Sequence, residues 1–299
     1  MKKIFAVLML VFVLALAGCG GSTPTAPPAP EPETPEVVEA VEEAEEETAE
    51  APEEEAAPAD DNASEAEETV WDTIIMGTSA DFPPFEFIAD DGQGRHGQYD
   101  GIDVAIAVRI AERLGAELII HDADFGGLIM DLNAGRIDFI AAALTITEER
   151  AQQVNFSESY FTALQNIIVP ADNDTIHSAA DLHGLFVGVQ IGTTGDMFVS
   201  YNVDDTEPQR YNRANEAFMA LRAGQLDAIV IDSPVAQRFV DAYPDELRIV
   251  TDDDAFVGEH YGIAVRQDEP ELLAAINEVI REMRAAGEID ELFAYFTQR

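Results

Sequence analysis

The stretch from Gly135 to Tyr160, G-R-I-D-F-I-A-A-A-L-T-I-T-E-E-R-A-Q-Q-V-N-F-S-E-S-Y, decides how this chain is read. Its apolar run Phe139 to Leu144 is short, uncharged and preceded by a Gly-Arg-Ile-Asp turn, which predicts a central strand buried on both faces. Thr145 and Thr147 follow with hydroxyls and backbone N–H groups, Glu148 and Glu149 suit the first turn of a short helix, and Arg150 comes next. A cation just beyond the carboxyl end of a strand stands where open α/β sheets bind ligands. A guanidinium fork flanked by hydroxyls also matches a planar carboxylate. The same spacing fits an exposed Arg150 paired with Glu148 or Glu149.

The second half repeats the arrangement with the charge reversed. Ala223 to Pro234, A-G-Q-L-D-A-I-V-I-D-S-P, has the same Gly-x-apolar-Asp turn and an apolar strand, and it ends in Asp232. Two half-chains presenting opposite charges at the ends of buried strands could clamp a zwitterion between them. Asp232 equally suits a helix N-cap before Pro234.

Outward from these motifs the chain changes character twice. Residues 1–18 open with two lysines, run apolar from Ile4 to Ala17 and end in Leu16-Ala17-Gly18 before Cys19, too short for a spanning helix and patterned as a signal peptide. Cys19 is the only cysteine, so neither a disulfide nor a thiolate metal site is expected. Ser22 to Thr69 is rich in Pro, Ala, Thr and Glu, and it holds 18 of the chain's 59 acidic residues and none of its 16 basic ones. Such a segment repels itself and has little apolar surface to bury, so 19–69 reads as an extended acidic tether, with partial helix over Val37 to Glu50 as the alternative.

Val70 to Arg299 carries 41 acidic residues against 14 arginines and no lysine. That surface repels nucleic acid and anionic lipid, which excludes both as direct partners. Within it, strands expected at Thr73 to Thr78, Glu117 to Asp122, Asn166 to Pro170, Leu185 to Gln190, Ala228 to Ile231 and Tyr261 to Val265 alternate with helices at Asp103 to Leu114, Gly127 to Ala134, Gly195 to Tyr201, Asn215 to Ala223, Pro234 to Ala242, Glu271 to Ala286 and Ile289 to Phe296. The alternation predicts an α/β protein with two parallel, helix-covered sheets.

At this point the folded region resembles a known family. Gly77-Thr78-Ser79-Ala80-Asp81-Phe82-Pro83-Pro84-Phe85-Glu86-Phe87, Tyr99-Asp100-Gly101-Ile102-Asp103-Val104, Leu144 to Arg150 with Val154-Asn155-Phe156-Ser157, Val187 to Gly195, Asp227 to Pro234 and Tyr261 to Val265 occur in the order and at the spacing of the extracellular solute-binding proteins of polar amino acid uptake systems. The resemblance implies a type-II periplasmic-binding fold, with a ligand cleft between two lobes joined by two crossing segments. Lobe 1 would comprise 72–165 and 262–299, lobe 2 would comprise 166–261, and the crossings would lie near Asn166 to Val169 and Val257 to Tyr261. It further implies that Cys19 is lipidated after cleavage of a lipoprotein signal, and that the protein serves an ABC permease outside the cytoplasm as a membrane-anchored monomer.

Residue by residue, the resemblance implies that Arg150 holds a ligand α-carboxylate with help from Thr145 and from the helix N-terminus at Thr193, Thr194 and Gly195. Asp232 and the Ala143 carbonyl would take the α-ammonium. Phe82 and Phe125 would sandwich the side chain, with Ser79 and Gln190 near its tip. Ser79 and Gln190 depart from the charged residues that the family often places there, so the side-chain preference stays open. A neutral polar ligand suits these two, a cationic one suits Asp81 or Glu86 if either faces inward, and an acidic one is disfavoured because Arg150 is the only cation among the motif residues.

The same fold also supports a periplasmic dehydratase acting on prephenate-like acids, and ligand-binding sensors. An elimination enzyme needs a placed proton donor, yet His121, His177, His183 and His260 fall outside the cleft motifs and His96 lies in a turn. A sensor would ordinarily carry a membrane-spanning helix beside the folded region. No catalytic residue, metal site or cofactor is expected, and the partner is a free amino acid.

Overall fold

The computed structural model describes residues 71–298. The signal segment, Cys19 and the tether lie outside the described residues. The chain begins with β1 (Thr73–Thr78), a small antiparallel trio of β2 (Asp81–Phe82), β3 (Glu86–Ile88) and β4 (Tyr99–Asp100), then α1 (Ile102–Leu114), β5 (Glu117–Asp122), α2 (Leu128–Asn133), β6 (Phe139–Ile140), α3 (Glu148–Ala151) and β7 (Asn155–Phe156). After β8 (Phe161–Ala163) come β9 (Gln165–Pro170), β10 (Val187–Gln190), α4 (Thr194–Asn202), β11 (Gln209–Tyr211), α5 (Ala214–Arg222), β12 (Ala228–Asp232), α6 (Ser233–Ala242) and β13 (Leu247–Val250). The chain then returns through β14 (Glu259–Tyr261) to β15 (Ala264–Val265), α7 (Pro270–Ala286) and α8 (Glu288–Thr297).

Two five-stranded sheets form two lobes, one with strand order β5-β1-β6-β15-β7 and the other with order β11-β10-β12-β9-β13. In the first, Ile74 and Met76 of β1 are fully buried, and α1 turns Ile102, Val104, Ile106 and Ile110 onto the sheet before Gly115 ends it in the left-handed conformation. In the second, Val187, Val189, Ala228 and Val230 pack on one face with Val199 of α4, while Ile229 belongs to the cluster of Ala217, Phe218 and Leu221 of α5 on the other. Burial on both faces is what made these strands read as short, uninterrupted apolar runs.

The sheets are mixed rather than parallel, which corrects the sequence reading. In the first, β15 pairs antiparallel with β6 and β7. In the second, β9 pairs antiparallel with β12 and β13. Each of these strands enters its sheet by crossing from the other lobe, without the crossover helix that a parallel neighbour requires. The organising strand is central but shorter than its apolar run. Beyond Ile140 the backbone leaves the ladder, Ala143 sits at φ 46°, and its N–H turns to the buried Asp103 carboxylate at 2.7 Å. A left-handed alanine costs about 1 kcal/mol, which that hydrogen bond offsets.

The lobes are joined by the antiparallel pair β8 and β14, with Ala163 opposite Glu259 and Phe161 opposite Tyr261. The first crossing strand therefore lies at Phe161–Ala163, and Asn166 to Val169 belongs to β9 inside the second sheet. The expected strand Tyr261 to Val265 is split likewise: Tyr261 ends the crossing and Ala264 begins the first-lobe strand. Phe85 packs edge-on against Phe161 and Tyr261 at centroid distances of 4.9 and 5.1 Å, which ties both crossing strands to the core of the first lobe.

Candidate functional site

The carboxyl ends of the central strands of both sheets converge on one cavity between the lobes, of about 10 Å³, room for about one water. It is lined by Ser79, Phe82, Phe125, Ala143, Thr145, Arg150, Gln190, Thr193, Thr194 and Asp232, together with Glu86 and Ala142. The structure thus brings ten of the eleven positions singled out in the sequence to one place, and Gly195, one residue into α4, does not line the cavity. The histidines do not reach it. Among the described residues no group of three or more His, Cys, Asp or Glu side chains is arranged to hold a metal ion.

Arg150 reaches the cavity because Thr147 caps α3, its hydroxyl accepting the Arg150 N–H at 3.2 Å, which fixes the helix start at the strand's end. The guanidinium is buried rather than exposed and paired with Glu148 or Glu149. Its Nη1 donates to the Thr145 carbonyl at 2.6 Å, its Nη2 donates to the Gly192 carbonyl of the other lobe at 2.9 Å, and it stands 5.5 Å from the centre of the Phe125 ring. Two N–H groups are thereby directed and the rest of the fork is left for a carboxylate. Burial opposes the charge and lowers the Arg150 pKa, while Asp232, Glu259 and Glu149 favour it.

Asp232 occupies the N-cap position of α6, yet its side chain caps nothing. It turns instead to the cavity wall, where it accepts from Gln165 Nε2 and from the Tyr261 hydroxyl. Burial, followed by the neighbouring Glu259, raises its pKa to about 7. Glu259 itself accepts from Thr194 Oγ1 at 2.6 Å, Thr145 Oγ1 at 3.1 Å and Gln165 Nε2 at 3.3 Å. Arg150 belongs to the first lobe and Asp232 to the second, so a positive and a negative group face one cavity from opposite sides.

The third ionisable group is Glu86. In the hairpin of β2 and β3, Phe82 lies directly opposite Glu86 and Asp81 opposite Phe87. Cross-strand partners share a face, so the turn that points Phe82 into the cavity points Glu86 there too. Phe85 goes to the core and Phe87 packs on Phe296 at 5.7 Å. Glu86 is 0% exposed, and neither of its carboxyl oxygens has a hydrogen-bond partner. Burial and then the nearby Asp103 push its pKa well up. Asp103 is itself raised to about 6 by burial, partly opposed by hydrogen bonds from the Ala143 N–H and, at 2.8 Å, the Tyr160 hydroxyl. Beside Glu86, Gln190 Nε2 donates to Ser79 Oγ at 3.4 Å and to the Asn212 carbonyl at 3.2 Å. The sequence held Asp81 and Glu86 as equal candidates for an inward acid. The hairpin register separates them, since the Asp81 carboxylate accepts instead from the Asn215 N–H at 3.0 Å.

The folded region is similar to known proteins along its whole length. Residues 74–299 match the bacterial extracellular solute-binding proteins, family 3. The L-cystine-binding protein TcyJ of Escherichia coli is 31% identical over 221 residues, 74% of this chain and 80% of that protein. The arginine-binding extracellular protein ArtP of Bacillus subtilis is 33% identical over 224 residues, 73% of this chain and 84% of that protein. The solved arginine-bound form of truncated ArgBP from T. maritima is 44% identical, with a TM-score of 0.65 and coverage of 71% of this chain and 96% of that one.

Proposed function

We propose that this chain, which belongs to the bacterial extracellular solute-binding proteins of family 3, captures L-arginine or a close cationic α-amino acid between its lobes. The protein is a binding component of an ABC transporter and not an enzyme. One observation carries the choice of ligand: both oxygens of Glu86 are buried in the cavity wall without a partner. A buried carboxylate is costly unless a charged donor reaches it, and a guanidinium supplies parallel N–H groups of matching geometry. Among the lining side chains one cation, Arg150, faces two carboxyl groups, Asp232 and Glu86. A neutral zwitterion leaves one acid uncompensated, whereas an arginine zwitterion balances the set. The arginine-binding relatives support the same reading.

In this arrangement Arg150 takes the α-carboxylate with the N–H groups at Thr193 and Thr194. Asp232 and the Ala143 carbonyl take the α-ammonium. Phe82 and Phe125 flank the aliphatic stem, while Glu86, Ser79 and Gln190 surround the guanidinium. Residues 72–165 with 262–299, and 166–261, are the two bodies that close on the ligand. Cys19 carries a lipid anchor, and the acidic tether lets a monomer reach its permease while staying off an anionic membrane. A thermal-shift screen of the twenty amino acids tests the ligand, because tight binding raises apparent stability by mass action. L-arginine should give the largest shift. An equal shift with a neutral amino acid would sink the cationic assignment.

A further inference from the structure

The lobes also meet outside the cavity. We propose that Arg213 is a positioning residue for ligand capture, latching the second lobe onto three carboxylates of the first. Arg213 stands immediately before α5, and its side chain crosses the cleft. Its Nη1 donates to Asp122 Oδ1 at 2.6 Å and its Nε to Asp124 Oδ1 at 3.2 Å, with Asp81 Oδ1 at 3.9 Å. In the first turn of α5 the Asn215 N–H donates to Asp81 Oδ2 at 3.0 Å. A helix start leaves N–H groups that need an acceptor, and here the acceptor comes from the other lobe.

The carboxylates are gathered by the first lobe itself. Asp122 ends β5 and accepts the Ala80 N–H at 3.1 Å, and Asp81 opens β2. Three like charges at the end of one sheet repel one another until a cation meets them. Arg213 is the cation that does so, and it does so only when the lobes are together. Side-chain exposures of 23% for Arg213, 21% for Asp122 and 11% for Asp81 keep those contacts partly sheltered from solvent, while Asp124, at 55%, is the exposed member. The latch adjoins the ligand: Ser79 Oγ, in the cavity wall, donates to Asp81 Oδ1 at 3.3 Å. Arg213 itself does not line the cavity, so it acts on capture by holding the lobes and not by touching the ligand. The inference rests on closure of the two lobes and is independent of which amino acid fills the site.

The test uses the full chain with Cys19→Ser, so that spin labels at Met130→Cys on α2 and Tyr201→Cys on α4, both exposed, report lobe separation. L-arginine should shorten the label distance in the parent. In Arg213→Gln the long-distance population should grow, L-arginine should dissociate about tenfold faster and associate within about twofold of the parent rate, as expected for a short-range charge contact formed in the complex. Arg213→Lys should recover part of the loss, and Asp122→Asn should reproduce it. Melting temperature without amino acid should be unchanged, which a merely structural role would not allow. Dissociation within about twofold of the parent, or a lowered melting temperature without ligand, overturns the latch. If L-arginine leaves the parent distance unchanged, the arginine reading fails instead. The latch is then judged without ligand, where a short-distance population indifferent to Arg213→Gln overturns it.

Discussion

Replacing Glu86 by glutamine keeps the shape of a side chain that is 0% exposed and lines the cavity, and removes only its capacity for charge. If a guanidinium sits against that carboxylate, the change breaks a buried pair at one partner, which costs ~3–5 kcal/mol. At ~1.4 kcal/mol per decade, L-arginine should bind roughly 100- to 5,000-fold more weakly. The effect without ligand has the opposite sign. Burial holds the Glu86 pKa above its ordinary 4.5, so the folded protein keeps a proton that the unfolded chain releases. The stability that this proton confers is present below about pH 4.5 and is lost as pH rises through the folded value. Glutamine has no such loss, so Glu86→Gln should melt higher than the parent at pH 8 and alongside it near pH 4.5. Titration calorimetry with L-arginine and L-glutamine, together with melting curves at the two pH values, reads both effects. Arginine affinity within about threefold of the parent would refute the assignment of Glu86 to the ligand's cation.

Arg150→Ala and Asp232→Ala should each weaken binding by a factor on the order of hundreds to thousands, since each strands a buried charge of the ligand, and a calorimetric loss below about tenfold would count against the clamp. Asp232 has its pKa raised to about 7, from 3.8. Its contribution to stability without ligand therefore falls as pH rises between those values. An α-ammonium requires its ionised form, and a group with a pKa of about 7 goes from half ionised at pH 7 to about 1% ionised at pH 5, so arginine affinity should drop ~50-fold over that range, with Glu86 adding in the same direction. A flat affinity profile over that range would exclude both acids from the site. Cys19→Ser should move the protein from the membrane fraction to the soluble one, and retention would argue against a lipid anchor.

The parts of the structure legible in the sequence were those with a local signature. The two Gly-x-apolar-Asp turns marked strands that prove central in their sheets, and Thr147 with Glu148 and Glu149 marked the start of α3 beside the cavity. Strand direction was not legible, because apolar runs look alike whichever way they run, and antiparallel entry of β9 and β15 depends on a crossing that leaves no trace in composition. Short strands such as β2 and β3 escaped because two or three residues carry no measurable period. That hairpin nevertheless settles the direction of Glu86, a fact fixed by the pairing of Phe82 with Glu86 and not by the residues one at a time. Arg213 was invisible for a different reason: its three partners lie far away in sequence, and an isolated arginine before a helix reads as surface.

The position of β15 bears on the order in which the molecule can be made. This strand, Ala264–Val265, sits between β6 and β7, in the interior of the first sheet, although it is supplied from near the end of the chain. During synthesis and export the N-terminal part emerges with a gap in its central layer, and α7 and α8, which pack on α1, arrive later still. The second sheet draws all its strands from one uninterrupted stretch, Gln165 to Val250. Local pairings form before distant ones, so that stretch is positioned to condense first while the earlier residues wait. A chain arrested before Ala264 should then protect amides of β10 and β12 from hydrogen exchange and leave those of β1 and β6 open.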